Sequence, residues 1–169
     1  MFIKNIEVIG EEPVTLPEAK NYCRVDISED DAYIHSLITA ARDHIETIGR
    51  MTLIKKNVTL TTGNNKIKLP LEPFIEIESV KVNGDITNQY DHMANYEGEC
   101  WFVNQSNATV EISYICGYEE IPKPIWQSIL MLVGHWYDNR SVVQVGRNVT
   151  DIDFTLKALI APYKRWGAK

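Results

Sequence analysis

Hydrophobic residues change their spacing twice along this chain, and that change limits the folds open to it. From Ile34 they recur every three or four positions, through Leu37, Ile38, Ala41, Ile45 and Ile48. Between Leu53 and Tyr118 they recur every second position: Val58 and Leu60, then Ile67, Leu69 and Leu71, then Ile75, Ile77, Val80 and Val82. From Pro122 the longer spacing returns. Ile125, Ile129, Leu132 and Trp136 form one stripe, and Trp126, Leu130, Val133 and Tyr137 form the next. The first spacing buries one side of a helix and the second buries one face of a strand. The expected fold class is therefore α+β, a mainly helical core with an inserted antiparallel β region at about 53–118. Helices are expected at about 16–23, 29–48, 123–139 and 153–161. Residues 1–52 and 119–169 would form one helical core around the insertion.

Local signals mark the ends of these elements. Thr15 with Glu18 has capping-box spacing, and Pro17 falls in a first turn, where a missing N–H costs little. Ser28 is the expected N-cap of the second helix, with Glu29, Asp30 and Asp31 at the positive end of its dipole. Arg42, Asp43 and Glu46 should lie on its solvent side, and Gly49 should supply a left-handed stop. In the β region Gly63-Asn64-Asn65, Asn83-Gly84-Asp85 and Asn104-Gln105-Ser106-Asn107 read as turns, Asn-Gly being the strongest hairpin signal. Pro70 and Pro73 suggest an edge or an exit from the sheet. The polar stretch from Gln89 to Glu99 reads as a loop, as does Arg140 to Asp151. The apolar face of the third helix is wider than a surface helix needs, which suits a central helix or one that also packs on another subunit.

The chain has 169 residues, enough to bury a core without disulfides or metal. Its three cysteines, Cys23, Cys100 and Cys116, show no C-x-x-C spacing and suggest a reducing compartment. The stretch MFIKNIEVIGEEP lacks the pattern of a signal peptide, and no apolar run approaches the roughly 18 residues of a membrane span. Seventeen Lys and Arg stand against 23 Asp and Glu, a net charge of -6, which argues against a protein that grips nucleic acid by neutralising phosphates.

Catalytic patterns are absent from the sequence. His35 and His44 are nine residues apart and fall on different helix faces, and no metalloprotease, phosphate-loop or nucleophile-turn motif occurs. His135 reads as structural, and the Asp26 to Asp31 acids read as helix-start charges rather than a cation site. No catalytic residue, metal ligand or cofactor is assigned. A ligand-binding or enzymatic site near Trp101, with His92, Glu97 and Glu99, is the alternative of another class. The tail Tyr163, Lys164, Arg165 and Trp166 joins aromatic and basic groups, which suits docking on an acidic protein surface or folding back on its own core.

Three segments in order resemble one family. LPEAKNYCRVD from Leu16 to Asp26, with Glu29 to Ile34 and Leu37 to Glu46, is similar to the N-terminal signature of tailed-phage head–tail connector proteins. Gly117-Tyr118, Ile121-Pro122 and the run from Ile125 to Arg140 make the second match, and Ala158 to Lys164-Arg165 the third. The resemblance implies a structural, non-enzymatic adaptor that assembles as a ring of twelve beneath the portal. A stopper or tail-completion protein would lie on its other side, and DNA would pass through without specific binding. A neck stopper or tail-completion protein is the alternative within the same assembly. The implied place is the virion neck, after synthesis and assembly in the bacterial host cytoplasm, with no membrane partner. Carried to this sequence, the portal-docking segment would be Tyr163, Lys164, Arg165 and Trp166. The subunit interface would use Ile34, Leu37, Ile38, Ala41, Ile45, Ile129, Leu132, Val133, Trp136 and Tyr137. The shortest members are nearly all helix, so the β region departs from that pattern.

Overall fold

The computed structural model describes residues 1–88, 90–95, 97–104, 108–139 and 150–165, without side-chain detail at 150–153. Helix and strand share the chain in comparable amounts, 36% and 29%, so the fold is a mixed α+β one and not mainly helical. It divides into two compact units, residues 1–11 with 51–119 and residues 12–50 with 120–169.

The first unit is β. Its larger sheet contains β1 (Phe2–Val8), β2 (Lys56–Thr62), β4 (Phe74–Val82), β5 (Asp85–Ile86) and β8 (Val110–Cys116) in the order β1-β2-β8-β4-β5. The smaller sheet is β3 (Lys66–Lys68), β7 (Cys100–Val103) and β6 (Asp91–Ala94). Every described pairing is antiparallel, as the short connections require. Strand β8 alternates strictly, with Val110, Ile112, Tyr114 and Cys116 buried, and lies between β2 and β4 in register Leu60↔Ile112 and Val80↔Ile112. These side chains join Ile67, Leu69, Cys100 and Phe102 from the smaller-sheet region in one apolar core. Ile77 and Val80 are an odd number of residues apart yet pair with Tyr114 and Ile112, because β4 shifts register between Ile77 and Ser79.

The Tyr114 hydroxyl donates to the Pro70 carbonyl, and burial pushes its pKa far up, so it remains a neutral donor. Burial likewise pushes the Cys100 thiol up to about 11, which leaves it unreactive. Asn83 and Gly84 both have positive φ, 52° and 97°, and close the β4–β5 hairpin in the primed geometry that an Asn-Gly pair favours. Pro70 and Pro73 stand where the chain leaves β3 and enters β4 in the other sheet, the exit their chemistry suggested.

Two strands escaped the sequence reading. Residues 2–8 were grouped with the helices but pair with β2, with the register Val8↔Lys56 and Ile6↔Val58. The stretch from Gln89 to Glu99, expected to be a loop, contains β6, paired with β7. Both are edge strands, and nearly all their side chains are exposed, so no buried period marks them.

The second unit is helical: α1 (Leu16–Cys23), α2 (Asp31–Gly49), α3 (Lys123–Asp138) and α4 (Thr150–Ile160), followed by a 3-10 turn at Ala161–Tyr163. The capping box at α1 is complete. The Thr15 N–H donates to Glu18 Oε2 at 2.8 Å, and the Glu18 N–H donates to Thr15 Oγ1 at 3.4 Å. The backbone bond to Thr15, then the bond from its side chain, hold the Glu18 carboxyl below its ordinary pKa.

The ends of α2 correct two expectations. Asp30, not Ser28, is the N-cap, and it makes no side-chain cap bond, because its carboxylate accepts from the Tyr137 hydroxyl at 2.6 Å. Gly49 is the last helical residue, and the left-handed position falls on Arg50 at φ 52°. Helix α3 buries Ile125, Ser128, Ile129, Leu130, Leu132, Val133 and Gly134, which accounts for its wide apolar face. At Gly134 a Cβ would stand 2.8 Å from Cε1 of Tyr22, so the missing side chain admits the α1 aromatic.

Arg42 was expected on the solvent face and is buried instead, with a side chain only 11% exposed. Its Nε donates to Glu12 Oε2 at 3.0 Å and one terminal nitrogen to Glu12 Oε1 at 3.3 Å, while the other faces Glu46 and Asp43. Thr39 donates to the same Glu12 carboxylate at 3.0 Å. The network fastens the segment ahead of α1 to the middle of α2.

Candidate assembly surfaces

The side chains expected at the subunit interface have another task. Ile34, Ile38, Ala41, Ile45, Ile129 and Val133 are at most 1% exposed, and Leu37 and Leu132 are also buried. In the single chain these side chains are packed inside the helical unit. Trp136 and Tyr137 are half-buried, with Trp136 edge-on to His44 at 6.1 Å and Tyr137 beside Tyr33 at 6.2 Å. A periodic stripe reveals that it is buried and does not say by what.

Of the tail, Tyr163 ends the 3-10 turn half-buried and Lys164 is exposed. The Arg165 N–H donates to the Gly49 carbonyl at 2.9 Å, tying the chain after α4 to the last turn of α2. Its Nε is buried without a hydrogen-bond partner among the described residues. Trp166 lies outside the described residues, as does most of the Arg140 to Asp151 stretch.

Between the end of α2 and α4 lies a groove of about 550 Å³, floored by Ile48, Leu156 and Ile160. Arg50, Lys157 and Lys164 stand around it with His44, and no acidic side chain lines it among the described residues. Sequence reading missed it because its cations come from three separate segments. At the other end of α2, residues 24–30 form a loop held by Lys20 of α1. The Val25 N–H donates to the Lys20 carbonyl at 3.0 Å, and Lys20 Nζ donates to the Ile27 carbonyl at 2.8 Å. Lys20 also pairs with Asp31 at 2.5 Å. Ile27 is 55% exposed on this loop, flanked by exposed Asp26 and Glu29.

Of the residues weighed for an enzymatic or ligand site near Trp101, Glu97 is exposed and the others have side-chain partners. The His92 ring lies tilted against Phe74 and Tyr90, with centroids 5.9 and 6.1 Å away. Glu99 accepts from Lys68 at 2.6 Å, and Lys68 also pairs with Glu72 at 2.7 Å. Lys66 covers the Trp101 ring at 5.1 Å. Among the described residues no cluster of His, Cys, Asp and Glu could hold a metal ion, and no helix is long and apolar enough to cross a membrane.

Comparison with known families decides the identity of the fold. Residues 13–160 match the model of the family described as head completion protein. The chain belongs to the head completion protein family. It is a structural component of the head–tail connection, as its three helical segments suggested. No curated protein matches it by sequence.

Solved structures share the fold of this head completion protein at low identity. One is a chain from the neck of an empty gene transfer agent (GTA) particle computed with C6 symmetry, with TM-score 0.75 and 16% identity. Another comes from the virion of a native GTA particle, with TM-score 0.73 and 16% identity. A third comes from the neck of a native GTA particle computed with C12 symmetry, with TM-score 0.69 and 16% identity. Each alignment covers 98% of both chains, so the β unit has its counterpart in those structures.

Proposed function

We propose that this head completion protein assembles as a ring of twelve in the virion neck, between the portal and a stopper or tail-completion protein, with DNA passing through without specific binding. The observation that carries this reading is the family match over residues 13–160. The likeness to neck chains whose reconstructions used six-fold and twelve-fold symmetry supports a ring. A net charge of -6 suits a conduit that DNA must leave quickly, because an acidic ring repels phosphates. In this reading the chain performs no catalysis, needs no cofactor, and is made and assembled in the bacterial host cytoplasm. The segment from Tyr163 to Trp166 docks on the portal, and copies meet through outward helix faces and loops rather than through the buried stripes.

A particle-assembly test follows from this role. Phage made without the protein should accumulate heads and tails that remain unjoined, and supplying the chain in trans should restore joined particles. Normal yields of tailed, infectious particles in its absence would overturn the reading.

A further inference from the structure

The helical unit is electrostatically two-ended. At the start of α2 the fixed loop presents Ile27 between exposed Asp26 and Glu29, while Asp31 is paired with Lys20 and Asp30 accepts from Tyr137. At the end of α2 the groove presents Arg50 and Lys157 beside an apolar floor. Nineteen residues of helix separate the two ends, about 28 Å at the rise of an α-helix, which is beyond useful Coulomb range in salt water. The ends therefore cannot neutralise each other within one chain.

We propose that the groove at the end of α2 receives the Ile27 loop of a second copy of this chain, and that this head-to-tail contact closes the ring. The inference rests on the ring reading above and names its contact. Three features argue for this occupant. The charges are complementary, acidic loop against basic rim, which selects partner and register. The loop is held by Lys20 before any partner arrives, so docking it orders little new backbone. The apolar floor has room for an isoleucine side chain, and Ile27 is an apolar group exposed between two acids. Because donor and acceptor surfaces differ, the contact is heterologous, the type that generates rings when its rotation closes.

Two paired charge reversals test the contact in the full chain: Arg50→Glu with Lys157→Glu in the groove, and Asp26→Lys with Glu29→Lys in the loop. All four side chains are exposed, and circular dichroism should report the native fold for both variants. Oligomer formation is followed by native mass spectrometry, with and without portal protein. Each variant alone should need at least about tenfold more protein than the natural chain to form the oligomer. Mixed in equal amounts they should recover it, since the reversed groove accepts the reversed loop and an even-numbered ring can alternate them. Raising salt should weaken the natural oligomer and the mixed one alike.

Unchanged assembly of either variant would overturn the contact, as would a mixture that fails to recover. A defect confined to the groove variant and seen only with portal present would place a portal segment in the groove and also overturn it. If the natural chain forms no oligomer under any of these conditions, the ring reading itself fails and the contact with it. If the natural chain assembles and both variants match it, only the contact is wrong.

Discussion

Replacing Gly117 by alanine should destabilise the β unit by about 3 kcal/mol, among the largest effects expected of one methyl group. Gly117 directly follows β8 at φ 120°, a backbone conformation that residues with a Cβ rarely adopt. Space is lacking as well. A Cβ there would stand 2.6 Å from the Ile54 carbonyl oxygen and 2.9 Å from the Lys55 Cα, and both obstacles are backbone. The residue cannot move away freely, because its N–H donates to the Pro73 carbonyl at 2.8 Å. The Gly117-Tyr118 pair that helped mark the family therefore has a structural reason. Urea unfolding followed by circular dichroism at the strand band should show a midpoint lowered by a molar unit or more, given slopes of about 1–3 kcal/mol per molar urea. A Gly63→Ala control should change little, since nothing lies within 4 Å of a Cβ placed there.

Arg42→Ala should destabilise the helical unit by about 2–3 kcal/mol. Removing the guanidinium takes from Glu12 and Glu46, with side chains 22% and 13% exposed, the cation that both of them meet. Breaking a fully buried pair costs about 3–5 kcal/mol, and the partial solvation of these acids lowers that figure. Arg42→Lys should recover less than half of the loss, because one ammonium cannot reproduce the two-nitrogen grip on Glu12 at 3.0 and 3.3 Å. Thermal unfolding followed by circular dichroism at the helical band measures both. Equal stability of Arg42→Ala and the natural chain would mean that the network contributes nothing.

The sequence disclosed elements wherever a local rule and a buried period agreed. Thr15 and Glu18 located the start of α1, Asn83-Gly84 located a hairpin, and the alternation from Val110 to Cys116 located the central strand. It failed where one of the two was missing. Strands β1 and β6 lie at sheet edges with exposed side chains, so they carry no period to read. Arg42 occupies a buried position because Glu12, 30 residues away, comes to meet it, and no helical wheel contains that information.

The assembly surfaces were the least legible part. Ile34 to Ile45 and Ile129 to Val133 are apolar and periodic because each stripe buries the other within one chain. A stripe that packs on a neighbouring subunit would look the same in sequence. The groove at the end of α2 needed coordinates, since Arg50, Lys157 and Lys164 come together only when α4 lies beside α2. Family membership, in contrast, followed from three segments in order, none of which is specific alone.

Native mass spectrometry of the purified chain with portal protein decides whether this head completion protein works as a ring. The account predicts a closed oligomer of about twelve chains of 19.3 kDa, formed alone or on addition of portal. A 19.3 kDa monomer that persists at high concentration and ignores portal protein would contradict it.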